Sequence, residues 1–228
     1  VTVGLPIVKT SRAENDAAAR SVTAATNGFT LIEVLVVIAI IGALTAILIV
    51  TSLGVSDSAS KARAKVQFAQ WAAAIEAFRS EYGHYPQFDA SHKVNGSDQG
   101  GLGGEHLFHD ILAGRRRDGQ PLGQIASAQN RRHIRFYAFA QSEFAQSAGG
   151  PELIQDALGN TDIAVLVDRN LDGRIDAADY PILPAMTTRD GVLIGAPHFP
   201  PNGLPLSVAF YSVGLRATAA NPEFIVSW

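Results

Sequence analysis

Five oxygen-bearing side chains, Asp168, Asn170, Asp172, Asp176 and Asp179, fall at positions 1, 3, 5, 9 and 12 of one twelve-residue stretch, with Gly173 at position 6. All-oxygen donor sets at this spacing suit calcium, which takes about six to eight oxygens at flexible geometry. The backbone carbonyl of Arg174, at position 7, would supply a further ligand, and water would complete the shell. Gly173 permits the sharp turn, and apolar Ile175 at position 8 is placed to anchor the loop to a core. Tyr180-Pro181 follows directly and forbids a long exiting helix. The ion's service would be structural. The plainer alternative is an Asp- and Gly-rich surface turn.

A second candidate is a solitary acid. Glu33 sits at the head of an apolar run in which residues 34–50, seventeen in all, hold nothing more polar than Thr45. A carboxylate in such surroundings is expensive and usually marks a function. Were a mature chain to begin at Phe29, its free α-amine would be a nearby positive charge. Pairing that amine with Glu33 of a neighbouring subunit removes two charge penalties together and favours assembly over the separate subunit.

Other groupings carry less. His106 and His109 are three residues apart but lack a third metal ligand. Arg115, Arg116 and Arg117, and Arg131, Arg132 and Arg135, are basic clusters followed by Phe136, Tyr137 and Phe139, a pairing that nucleic acid would favour. Core packing for the aromatics, with the arginines solvated or facing another subunit, is the preferred reading, with no nucleic-acid partner. No Ser/His/Asp order, phosphate loop or paired catalytic acid stands out, so the chain reads as a non-enzyme.

The elements that must position these residues follow from pattern. Residues 1–28 are polar and alanine-rich and read as a leader. The run from Phe29 has about the 20-residue length of a membrane-spanning helix. Phe68, Trp71, Ile75, Phe78 and Tyr82 then recur at helical spacing, with a row of small residues (Ala62, Val66, Ala69, Ala73, Ala77) beside them. One long helix to about Tyr82 is the simplest reading, ended by Gly83 and Pro86. Strands are expected at 134–139, 163–167, 192–194 and 206–212, an edge strand or a tail over the sheet at 224–228, and a short helix over 105–113. The segments 89–104 and 114–129 read as loops. The division is thus a leader (1–28), a transmembrane and assembly helix (29–56), its amphipathic continuation (57–86) and a soluble α+β head with inserted loops (87–228).

Composition sets bounds. The 228 residues are 47% apolar and 17% charged, with a net charge of -3; this gives no electrostatic case for nucleic acid or acidic surfaces. There is no cysteine, so disulfides, thiolate metal sites and cysteine nucleophiles are excluded, and the head must be held by packing, assembly or a bound ion.

The stretch Gly28-Phe29-Thr30-Leu31-Ile32-Glu33-Val34-Leu35 resembles the prepilin motif of type IV pilins and type II secretion pseudopilins. The resemblance implies that an aspartyl prepilin peptidase cuts after Gly28 and methylates Phe29, and that Glu33 serves assembly. Gly42 matches a common glycine of that helix. Ala73-Ala74-Ile75-Glu76-Ala77-Phe78-Arg79-Ser80-Glu81-Tyr82-Gly83-His84-Tyr85-Pro86 looks like the end of the long helix in major pseudopilins. Phe210-Tyr211-Ser212-Val213-Gly214 and Phe224-Ile225-Val226-Ser227-Trp228 resemble their closing segments. The chain departs from that group where Leu215-Arg216 replaces an Asp-Gly and Glu223 is the sole nearby acid, which tells against the group's own C-terminal calcium loop. The 168–179 loop is instead similar to the shorter-armed loops of dockerin-like modules.

These resemblances imply a pilin-like α+β fold, with a long N-terminal helix, membrane-spanning in its first half, packed on a small antiparallel sheet. They imply a structural subunit of a type II secretion filament that helps export folded proteins. Its partners would be the prepilin peptidase, copies of itself, other pseudopilins and the inner-membrane secretion platform. The expected place is the bacterial inner membrane, single-pass, with the head in the periplasm. The alternatives are a type IV or minor pilin for adhesion, motility or DNA uptake, and a membrane-anchored calcium-binding module.

Overall fold

The computed structural model describes residues 30–96, 105–145, 152–188 and 190–228, with side chains for all of these except residues 46–56. The leader, with Gly28 and Phe29 at its end, lies outside the described residues. The chain divides into two units, Val1–Leu48 and Ile49–Trp228.

In the first unit the helix α1 (Leu31–Tyr82) begins. Ten large apolar side chains between Leu31 and Leu44 are exposed, among them Leu31 at 80% and Ile32 at 69%. Among the described residues no helix is long and apolar enough to cross a membrane. A spanning helix needs about 20 apolar residues to cross a hydrocarbon layer of about 30 Å. The membrane-spanning first half, the transmembrane label and the single-pass inner-membrane placement with a periplasmic head are therefore not supported. The pilin-like fold class as framed, a long helix with its first half in the membrane packed on the sheet, is overturned as well: what packs on the sheet is a short section of α1.

That section belongs to the second unit. Its buried side chains run from Ala64 to Phe78, fifteen residues, through Phe68, Trp71, Ala74 and Ile75. The bulky row lies inward because side chains three and four apart share one helical face. The small-residue row beside it faces out. Tyr82 closes the helix, and Gly83 takes φ 78° while donating its N–H to the Arg79 carbonyl at 2.7 Å, a left-handed cap that glycine adopts without a Cβ penalty.

The sheet it meets has the order β1-β4-β5, all antiparallel, with β1 (Ile163–Val167), β4 (Val208–Val213) and β5 (Phe224–Val226). Val165 faces Phe210 in the β1–β4 ladder and Ser212 faces Ile225 in β4–β5. All five β1 residues and all six of β4 are buried, which is why both read as continuous apolar runs. One face joins Phe68, Trp71 and Ile75 in the main core. The other, through Leu166, Ala209 and Tyr211, packs on Ile175, Tyr180 and the hairpin β2 (Met186–Thr187) and β3 (Leu193–Ile194).

The outer edge of β1 is occupied. Ile163 accepts from Val94 N–H and Val165 N–H donates to the His92 carbonyl, each at 2.9 Å. Beyond them the Tyr180 hydroxyl accepts from Val167 N–H at 2.8 Å and donates to the Val167 carbonyl at 3.1 Å.

Residues 134–139, expected as a strand, form none. Phe136 and Tyr137 both donate their N–H to the Leu112 carbonyl at the end of α2 (Leu107–Ala113), so a helix terminus takes the bonds a ladder would need. The segment 114–129, expected as loop, contains α3 (Gln124–Gln129), whose Ala126 N–H is capped by the Glu105 carboxylate at 2.8 Å. Gly114 ends α2 at φ 68°, and a Cβ there would stand 2.7 Å from the backbone oxygens of His133 and Ile134. Backbone atoms give way little, so Gly114→Ala is expected to lose about 1–3 kcal/mol in urea unfolding. A variant as stable as the parent would show that this crossing is loose.

Candidate functional site

Glu33 lies in the first turn of α1. Its Oε2 accepts both the backbone N–H of Thr30 (2.8 Å) and the Thr30 hydroxyl (2.9 Å), while Thr30 Oγ1 accepts the Glu33 N–H at 3.3 Å. This is a reciprocal capping box, which satisfies donors that the first turn of a helix leaves without partners. The Thr30 bonds, backbone first and hydroxyl second, hold the exposed Glu33 carboxyl below the ordinary carboxylate value. Both fall on Oε2, so Oε1 has no hydrogen bond among the described residues and keeps its lone pairs for a cation. The sequence reading missed Thr30, although a threonine three residues before a glutamate ahead of an apolar run is the signature of this cap.

The 168–179 loop lies between β1 and the β2–β3 hairpin. Asp168, 1% exposed, accepts from Asp172 N–H (3.2 Å) and Gly173 N–H (2.8 Å). Asp179, 4% exposed, accepts from Arg169 (2.9 Å) and Asn170 (3.1 Å) on Oδ1 and from Asp176 (3.3 Å) on Oδ2. Asn170 Nδ2 donates to Asp172 Oδ2 at 3.1 Å, and Asp172 Oδ1 accepts from Arg174 N–H at 2.9 Å. Asp176 accepts from Ala178 N–H at 2.7 Å. The positive φ values of Leu171 (63°) and Gly173 (86°) turn the chain back on itself.

Ile175 is fully buried and exchanges both backbone bonds with Leu204, at 2.9 and 2.8 Å. The Arg174 guanidinium braces the Asn202 and Gly203 carbonyls. The loop is thus held at its first, eighth and twelfth positions. Among the described residues no group of three or more His, Cys, Asp or Glu side chains is gathered so as to hold a metal; here the carboxylates draw in backbone N–H groups. A carboxylate offers about four lone-pair sites, so accepting N–H groups leaves capacity for an ion.

The histidine pair is structural. His106 Nδ1 accepts the His109 N–H at 3.1 Å, which puts the ring proton on Nε2, 3.0 Å from Asn95 Oδ1. Burial pushes His106 down to about 4, with His109 adding to the shift. His109 Nδ1 meets Asp110 Oδ1 at 2.9 Å. Among the described residues Arg135, but neither Arg131 nor Arg132, lines a cavity with Arg115, Arg116 and Arg117. Arg132 pairs with Glu81 near the end of α1, and Phe136, Tyr137 and Phe139 pack against the cores.

Residues 24–49 match the family model described as the prokaryotic N-terminal methylation motif. No curated protein and no solved structure matches the chain. The matched segment takes in Gly28, Phe29, the Thr30–Glu33 box and the apolar start of α1. The chain therefore carries the N-terminal methylation motif of the broad type IV pilin and pseudopilin processing family.

Proposed function

We propose that this chain is a filament subunit of the pseudopilin kind, serving a type II secretion machine that exports folded proteins, and that it performs no catalysis itself. The observation that carries the reading is a methylation motif joined to a helix whose ten large apolar side chains find no cover within the described residues. Exposed apolar surface of that extent calls for an interaction partner, and copies of the same helix would supply one. Within such a bundle Glu33 Oε1 would receive the α-amine of a neighbour's Phe29. The absence of cysteine and the run of α1 into Gly83-His84-Tyr85-Pro86 support the secretion type over a pilus. The prepilin peptidase, other pseudopilins and a secretion platform would be its partners. A structural calcium ion in the 168–179 loop belongs to the same proposal.

The test separates the cap from the charge. The processed chain is expected to begin at an N-methylated Phe29, read by terminal sequencing. Glutamine still completes a capping box but cannot neutralise an amine. Glu33→Gln should therefore cut the crosslinked subunit ladder roughly tenfold, about 1.4 kcal/mol per contact. Thr30→Val removes the cap and keeps the charge, so its ladder should persist. A start elsewhere, or a full ladder from Glu33→Gln, would sink the assembly role.

A further inference from the structure

A cavity of about 210 Å³ opens between the end of α2 and the segment that follows α3. Its wall includes Arg115, Arg116, Arg117 and Arg135, together with His109 and Phe139, and no acidic residue lines it among the described residues. Two of the four guanidinium groups are already matched: Arg116 pairs with Asp118 at 2.7 Å, and Arg117 pairs with Glu152 while lying 3.6 Å over the Phe144 ring. Arg115 and Arg135 have neither a hydrogen bond nor an ion pair among the described residues, and both are exposed. The cavity thus carries about two uncompensated positive charges on planar, multi-donor groups suited to oxyanions.

The surroundings favour an anion further. The carbonyls at the end of α2 would repel one, but Leu112 already accepts from Phe136 and Tyr137, and Ile111 accepts from Asn130 Nδ2 at 2.8 Å. The His109 ring is fixed by Asp110 and lies 4.9 Å from the Phe139 ring, giving the cavity a rigid wall. At 210 Å³ the space falls below the roughly 300 Å³ at which pockets take drug-sized molecules, so it suits a single tetrahedral group.

We propose that this cavity binds a phosphate group, with Arg115 and Arg135 neutralising its two charges and Arg116 and Arg117 holding the wall around it. The group is either free phosphate or the terminal phosphate of a larger molecule. Calorimetric titration of the full chain, in calcium-free buffer at fixed ionic strength, with inorganic phosphate and separately with glycerol phosphate, tests this. Saturable binding of either ligand is expected, and binding of glycerol phosphate alone assigns the site to a carried phosphate. Arg115→Gln with Arg135→Gln should weaken binding at least about tenfold without altering the circular dichroism spectrum. Arg63→Gln, on the exposed face of α1, should leave it unchanged. No saturable heat with either ligand, undiminished binding by the double variant, or an equal loss in Arg63→Gln overturns the proposal.

Discussion

Trp71→Ala is expected to remove about 3–5 kcal/mol from the stability of the second unit, the usual cost of deleting a large buried aromatic. Trp71 is fully buried, its ring centroid 5.4 Å from Phe108, 5.6 Å from Phe210 and 5.8 Å from Phe68. It joins α1, α2 and β4 at one point, so the cavity left behind borders three elements that cannot all collapse into it. Its Nε1 also donates to Glu143 Oε1 at 3.0 Å. That carboxylate keeps Gln67 and Tyr137 as donors, so lost packing outweighs the lost hydrogen bond. Trp71→Phe, which keeps most of the ring, should cost only about 1–2 kcal/mol. Urea unfolding followed by circular dichroism separates the two. With domain stabilities of about 5–15 kcal/mol, the alanine variant should sit near its threshold. An alanine variant within about 1 kcal/mol of the parent would mean that α1 is not what holds the sheet.

Calcium is expected to raise the stability of the same unit by about 2.7 kcal/mol when present at 100 times its dissociation constant. Asp168, Asp172, Asp176 and Asp179 place four carboxylates on one short loop, and a divalent ion would relieve their mutual repulsion. Two of them, Asp168 and Asp179, are buried where that repulsion is least screened. Melts of the full chain in millimolar calcium and in chelator should differ. Asp172→Ala should bring the calcium melt down to the chelated one, while Asp190→Ala, in an exposed turn, should leave the difference intact. Identical melts of the parent in both buffers would reduce the loop to a surface turn.

Periodicity made the helix-facing half of the core legible. Phe68, Trp71, Ile75 and Phe78 form the buried stripe because helical spacing leaves them no other face. The expected strand at 163–167 coincides with β1, and 206–212 and 224–228 overlap β4 and β5, since unbroken apolar runs with β-branched residues suit a sheet buried on both sides. The same cue misled at 134–139, because alternation cannot reveal that Leu112 would claim two of the segment's N–H groups. The cap of α3 was invisible for a related reason: Glu105, twenty-one residues upstream, supplies it. In the site, loop positions and the anchoring role of Ile175 could be read from spacing. Which oxygens would turn toward backbone N–H groups could not, because that depends on burial of the first and twelfth residues. The apolar length of residues 29–50 suggested a spanning helix, an expectation overturned because no helix among the described residues is long and apolar enough to cross a membrane.

The hydroxyl of Tyr180, seated against both backbone groups of Val167, has a consequence for crowding. A β-strand with open donors and acceptors along one side invites a stranger's strand to zip onto it, and that risk grows with local concentration. Here the Lys93 segment covers one half of the β1 margin and a single phenol covers the other. Copies of this unit brought side by side would therefore press against this margin without fusing through it, because β1 has no open backbone there to lend.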